Sequence, residues 1–303
     1  MTVPLISFKE SAEQGVGVLV GRVSAPEMRE PDDQCRQART RRQSQQQWFT
    51  KMHIRMSGAG IMPEMSRNGW QGRALVVGGG GIGRALRMEL AQRHPSLHVT
   101  LATRNPLSEQ EWKLDLESPA SFAELTERLT ADQQPLRMVF NATGRLHSAS
   151  LQPEKRLQHV EQSGLIESFA INAAGPLLLA KSVESVLTRD RPFHFASLSA
   201  RVGSIADNRS GGWYAYRAAK AAQNMMLHSL SLEWGRRLPL ATVTLLHPGT
   251  TDTALSKPFQ SFVPPEKLFS PERAAGHLLD VLLEQTPSDS GKFLAWDGQE
   301  IPW

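Results

Sequence analysis

From Arg73 onward the chain repeats one pattern, a short apolar run followed by a stretch with helical spacing. The runs are A-L-V-V (74–77), L-H-V-T-L-A-T (97–103), M-V-F (138–140), H-F-A-S-L (194–198) and V-T-L-L-H (243–247). A strand with one face in water alternates polar and apolar residues; a mostly apolar run must be covered on both faces. Between the runs lie R-A-L-R-M-E-L-A-Q-R, an amphipathic helix at 118–129 with Ser118 as N-cap and Pro119 at N1, and long helical stretches at roughly 154–187 and 214–236. Buried strands separated by helices imply a parallel sheet with helices on both sides.

The first seventy residues lack this pattern. They hold ten Lys/Arg against seven Asp/Glu, so most of the chain's net charge of +4 sits there. No acid occurs from Gln34 to Pro63, while Arg36, Arg39, Arg41, Arg42, Lys51 and Arg55 alternate with glutamines. Low apolarity with biased composition predicts a disordered extension over 1–70. A targeting peptide, a basic interaction arm, or an over-extended gene model with its true start near Met65 are the alternatives. The rest of the chain has no clustered basic stripe, so no nucleic-acid partner is expected. One cysteine, Cys35, cannot make an internal disulfide, which excludes the stapled secreted class. No run approaches the ~18 uninterrupted apolar residues of a membrane span. The expectation is a cytoplasmic globular protein with no membrane association. The histidines are scattered, without metal-ligand spacing, so no metal is expected.

V-V-G-G-G-G-I-G-R-A-L (76–86) stands at the first strand-to-helix turn. Gly78, Gly80 and Gly83 fit G-x-G-x-x-G, and Gly81, next to Ile82, adds a fourth residue without Cβ. A pyrophosphate can approach backbone N–H groups only where side chains are absent, and the helix N-terminus behind them adds positive potential. With a strand before and a helix after, the expected fold is one doubly wound, parallel α/β domain of the Rossmann kind over 71–303. About twenty residues on, an NAD site would place an acid against the ribose 2′-hydroxyl. Here T-L-A-T-R-N (100–105) has no acid and offers Arg104, whose guanidinium suits a 2′-phosphate. The cofactor expected is therefore NADP, with NAD as the alternative.

Tyr216 and Lys220 form Y-R-A-A-K within the second long helix, and a spacing of four puts both on one face. A nearby ammonium and an oxidised nicotinamide favour the phenolate and pull the phenol down from its ordinary value near ~10. Such a tyrosine can give a proton to a carbonyl or take one from an alcohol. Tyr214 has no lysine four residues after it. Asn172 lies in a helical run containing Pro176, which lacks the N–H that would bond the Asn172 carbonyl, so that carbonyl must find another partner.

The chain from about Gly72 resembles the short-chain dehydrogenase/reductase family. The matching motifs are the glycine turn, N-A-T-G (141–144), Asn172, the serine strand, Y-R-A-A-K and H-P-G-T-T-D-T (247–253). The D-N-R-S-G-G-W-Y insert and the ending W-D-G-Q-E-I-P-W are similar to a carbonyl-reductase subgroup with sniffer-like and C-factor-like members. The resemblance implies that Tyr216 is the general acid/base, while Lys220 lowers its pKa and hydrogen-bonds the nicotinamide ribose. It implies that Asn172 holds a water leading towards the lysine. Asp115 would contact the adenine, with Leu116 beside it, and Asn141 and Ala142 would line the cofactor cleft. Pro248 and Gly249 would begin the loop over the nicotinamide, followed by Thr251 and Thr253, the latter at the position that holds carboxamide or phosphates. Homodimers or homotetramers paired through the two long helices are the expected assembly.

The glycine turn is one residue shorter than the family's, and Ala142 replaces its second Asn. The family's serine position is Ala200, so the assisting hydroxyl is assigned to Ser199, with Ser204 in reserve. A one-residue slip turns a strand side chain to the opposite face, so Ser199 can serve only where the strand ends or bulges. The expected function is NADP(H)-dependent hydride transfer between nicotinamide and a small carbonyl or alcohol substrate. Residues 254–270, with Phe259, Phe262 and Phe269, are expected to form an apolar substrate wall. A dinucleotide-sensing protein without turnover is the alternative, and the Tyr216–Lys220 pair separates the two readings.

Overall fold

The computed structural model describes residues 70–148 and 151–303. Among them nine strands form: β1 (Gly72–Val77), β2 (Leu97–Thr103), β3 (Trp112–Lys113), β4 (Leu136–Asn141), β5 (Phe193–Leu198), β6 (Ala241–His247), β7 (Thr250–Thr251), β8 (Leu268–Phe269) and β9 (Phe293–Ala295). Seven build one sheet in the order β3-β2-β1-β4-β5-β6-β9, every neighbouring pair parallel, while β7 and β8 pair separately. The helices are α1 (Gly81–Arg93), α2 (Pro119–Ala131), α3 (Gln162–Phe169), α4 (Gly175–Glu184), α5 (Tyr214–Arg237) and α6 (Pro271–Glu284).

Each strand splits its side chains between two cores, as the two-residue period of a strand requires. Leu75 and Val77 pack with Leu125 of α2, Leu179 of α4 and Trp234 of α5 on one face. Ala74 and Val76 pack with Leu86 of α1 and Leu278 of α6 on the other. The strand order reverses between β1 and β4, and the crevice beyond the carboxyl ends of those strands is where ligands bind in open α/β sheets.

Trp70 is buried, edge-on to the ring of His194 at 5.0 Å, with the Arg137 guanidinium over it. The extension expected over 1–70 otherwise lies outside the described residues. Strands β3 and β9, each short and at a sheet edge, were not among the five expected runs.

The expected helix over 154–187 is shorter and interrupted. Residues 154–161 are loop with one short 3-10 turn, Leu157–His159, and α3 starts at Gln162. Between α3 and α4 the chain widens into a π turn, Ala170–Ala174, where the Gly175 N–H reaches the Ala170 carbonyl. The missing N–H of Pro176 supplies the cause, since a bulge of this kind absorbs a broken ladder. The stretch Gln162–Glu184 is long and apolar enough by composition to cross a membrane, with mean hydropathy 1.3, yet it also carries buried polar residues, Ser168 and Asn172. Ser118 occupies the N-cap of α2 without a capping side-chain bond, whereas Ser270 caps α6 by accepting from the Arg273 N–H at 3.2 Å.

Candidate active site

The glycine turn follows directly from β1. Gly78 has φ +119°, a conformation costly for any residue with a Cβ, and its N–H bonds the Ala102 carbonyl at 2.8 Å. At Gly83 an added Cβ would sit 1.9 Å from the Gly78 carbonyl oxygen, so the first turn of α1 can close onto the loop only without one. At Gly80 an added Cβ would meet nothing within 4 Å, because that position faces open space. Arg84, not anticipated from sequence, braces the loop by donating to the Gly79 carbonyl at 3.1 Å. Its guanidinium also pairs with Glu111 at 2.7 Å and holds that carboxyl below its ordinary range.

This turn opens into a cavity of about 550 Å³ at the carboxyl ends of the central strands. Of the expected cofactor residues, Gly78, Gly80, Gly81, Ile82, Arg104, Asp115, Leu116, Ala142, Pro248, Gly249, Thr251 and Thr253 line it, as do Ser199, Tyr216 and Lys220. Gly83, Asn141 and Asn172 lie behind the wall. Arg104 projects from the end of β2, more than half exposed, with Glu117 3.5 Å away. The Asp115 carboxylate accepts from the Glu117 N–H at 3.0 Å.

Tyr216 and Lys220 sit one turn apart on α5, both buried, with the Lys220 Nζ 5.8 Å from the centre of the Tyr216 ring. Burial pushes the phenol above its ordinary value and draws the amine down to about 7. The expected lowering of the phenol concerned the pair with an oxidised nicotinamide beside it, whereas these shifts belong to the chain by itself. The physical cause of both shifts is desolvation by burial, which penalises the charged form of each group.

The Lys220 amine donates to the Leu198 carbonyl at 2.9 Å and to Gln223 Oε1 at 2.8 Å. Gln223 in turn donates to Ser197 Oγ at 2.8 Å, which also accepts from Asn141 Nδ2 at 2.9 Å. Asn141 Oδ1 accepts from the Thr143 hydroxyl at 2.7 Å. A buried polar chain thus runs from the amine to the loop after β4. Gln223 was missed because one glutamine in a helix carries no motif; its spacing of three from Lys220 is the only trace.

Asn172 stands in the π turn, and its side chain clamps the backbone of Arg145. Its Oδ1 accepts from the Arg145 N–H and its Nδ2 donates to the Arg145 carbonyl, both at 2.8 Å, with Ser168 Oγ at 3.1 Å. Arg145 itself pairs with Glu117 at 2.8 Å and Glu167 at 3.0 Å.

The serine assignments meet a different geometry. Strand β5 ends at Leu198 and Ser199 is on the cavity wall, but its hydroxyl donates to Asn224 Oδ1 at 2.6 Å. Its partner is thus the amide of Asn224 on α5. Ser204 is off the cavity and accepts from the Asp207 N–H at 3.0 Å. Ala200 takes the half-exposed place on the wall. The substrate wall also differs from expectation. Phe259 lines the cavity, whereas Phe262 points to solvent and Phe269 is buried against Trp296 at 4.8 Å.

Opposite Phe259 stands Trp213, which belongs to the D-N-R-S-G-G-W-Y insert but was given no role from sequence. It has φ +53° and ψ +43°, following Gly211 and Gly212, both also at positive φ. Left-handed backbone costs a residue with a Cβ roughly 1–2 kcal/mol. Two sets of bonds hold it there. The Trp213 N–H donates to the Glu154 carbonyl at 2.6 Å, and the buried Glu154 carboxylate accepts from the Ala215 N–H at 3.3 Å. A carboxylate on the first turn of α5 also complements the helix dipole.

A glycine turn after the first strand, an arginine after the second and a Tyr–Lys helix around one crevice define a dinucleotide-type oxidoreductase architecture. The sequence pattern described as short chain dehydrogenase matches residues 73–263, and the chain belongs to that family of oxidoreductases. It is 35% identical over 147 residues to the C-signal protein of Myxococcus xanthus, a match covering 48% of this chain and 83% of that one. Among solved structures, the carbonyl reductase Sniffer of D. melanogaster superposes with a TM-score of 0.65 at 22% identity, over 77% of this chain and 100% of that one. The NADPH-bound carbonyl reductase from chicken fatty liver gives 0.63 at 22%, over 77% and 99%.

Proposed function

We propose that the protein is an NADP(H)-dependent oxidoreductase acting on a small carbonyl or alcohol, with Tyr216 as general acid/base. The observation that carries this reading is that Tyr216, Lys220, the glycine turn and Arg104 all line one cavity. The dinucleotide fits the residues present: Gly80 leaves its approach open, and backbone N–H groups at the start of α1 face the loop. When bound, it supplies or accepts the hydride.

The chain's own part is the proton and the electrostatics. Because burial holds the Tyr216 phenol protonated at neutral pH, it is in the state required to give a proton to a carbonyl oxygen gaining charge. Lys220, drawn to about 7 by burial, can hold or release a proton near neutrality one helical turn from the phenol. Ala200, and a Ser199 hydroxyl already given to Asn224, leave Tyr216 as the donor that polarises the carbonyl. Asn172 acts as the clamp that fixes the loop at Arg145 beside the amine; an added Cβ at Gly144 would lie 3.6 Å from its Oδ1 and 3.8 Å from Lys220 Nζ.

Arg104 is the residue that would meet a 2′-phosphate. Its ion pair with Glu117 is exposed and weak, so exchange for a phosphate costs little. A charge-assisted bond is worth about 1.5–3 kcal/mol, so Arg104→Ala should weaken NADPH binding by roughly 10–100-fold. NADH binding should change by less than about twofold, read by cofactor fluorescence titration. Equal losses for both cofactors would remove Arg104 from the 2′-phosphate.

Pairing through the long helices is proposed on their exposed apolar residues, Ile166 and Phe169 on α3 and Met225 and Leu232 on α5. Light scattering is expected to give at least twice the chain mass of 33.5 kDa. Ile166→Glu with Met225→Glu should return it to the single-chain mass, and a single-chain mass in the parent would dismiss the pairing.

A further inference from the structure

We infer that Trp213 is the specificity-determining residue of the cavity, and that its indole with Phe259 forms a wall for a planar, uncharged aromatic carbonyl compound. The inference rests on the oxidoreductase reading and names the substrate class for the same site. Trp213 is three residues before Tyr216, so its backbone position is set by the start of the helix that carries the phenol. Its ring lies 5.2 Å from that of Phe259, at 55°, and both rings line the cavity with Tyr216.

The backbone conformation is what makes this more than an apolar contact. A non-glycine residue at positive φ is rare, and a bulky one is an outlier that persists only when its surroundings hold it. Glycine occupies the two preceding positions, so glycine would have served at the third without strain. Among the described residues the indole makes no hydrogen bond that would explain its choice; the bonds of this loop are backbone contacts and those of Asn208, Glu154 and Arg217. What the side chain does is face the cavity and meet Phe259.

The charges near this wall favour an uncharged ligand. Arg145 is paired with Glu117 and Glu167, and Arg201 with Asp207 at 2.8 Å, so the neighbouring cations have carboxylate partners. Flat rings gain from offset or tilted contact with aromatic side chains beyond the area they bury, and a saturated ring of the same size does not. In the proposed reaction a bound reduced nicotinamide would supply hydride to the carbonyl carbon while Tyr216 gives its proton to the oxygen, so that the products are the alcohol and the oxidised cofactor.

The test compares benzaldehyde with cyclohexanecarbaldehyde, using full-length protein and NADPH. Trp213→Gly should lower kcat/KM for benzaldehyde by roughly 2–10-fold more than for cyclohexanecarbaldehyde, mainly through KM. Its Tm should stay within about 3 °C of the parent, since glycine accepts the left-handed backbone. Trp213→Phe should keep most of the benzaldehyde preference. Equal losses for both aldehydes, or a large fall in Tm with selectivity unchanged, would overturn the assignment while the parent's turnover keeps the oxidoreductase reading intact. Consumption of NADPH with neither aldehyde by the parent would instead overturn that reading and the substrate class together.

Discussion

Tyr216→Phe is expected to abolish carbonyl-dependent NADPH consumption while leaving NADPH affinity within about threefold. General acid catalysis contributes about 10²–10⁴-fold, and here the loss should lie at the upper end because Ala200 stands on the cavity wall where a serine hydroxyl would assist and Ser199 is bonded to Asn224. Among the described residues no group hydrogen-bonds the Tyr216 hydroxyl, so removing it leaves none of them unsatisfied and the fold should keep its Tm. The measurement is absorbance at 340 nm across a panel of aldehydes and ketones. A variant as active as the parent would remove Tyr216 from the chemistry. A parent that binds NADPH tightly and turns over nothing would favour the sensing protein over the enzyme.

Gly83→Ala should be the most damaging single methyl in the cleft. Its Cβ would lie 1.9 Å from the Gly78 carbonyl oxygen, a backbone atom that cannot swing aside as a side-chain tip could. Relief requires prising α1 from the loop, which we expect to cost at least about 3 kcal/mol and to lower Tm by roughly 6–12 °C. Gly80→Ala is the informative companion. With nothing within 4 Å of its added Cβ, it should fold with the parent's Tm and lose NADPH affinity only through obstruction of the approaching pyrophosphate. Thermal melting and cofactor titration on both variants separate the two roles. A Gly83→Ala protein with parental Tm would contradict the close approach.

The fold was legible because strands buried on both faces have no polar alternation and because helices announce their starts. Leu97–Thr103 begins and ends where its apolar run does, and α5 matches the expected 214–236 to within one residue. The short edge strands Trp112–Lys113 and Phe293–Ala295 were not legible, since two or three residues carry no period. The helix expected from 154 failed for a related reason: helical composition says nothing of a segment whose Glu154 is recruited to cap a helix sixty residues away.

Within the cleft, motif and spacing were enough to name the glycine turn, Arg104, Tyr216 and Lys220, because phosphate approach and a shared helical face are local requirements. The direction of the Ser199 hydroxyl, the Gln223 bond to the amine, the ionisation of the buried pair and the turning of Trp213 against Phe259 came from packing alone. Each depends on which distant atoms are near and how far water is excluded, and those are quantities that a linear order of residues does not contain.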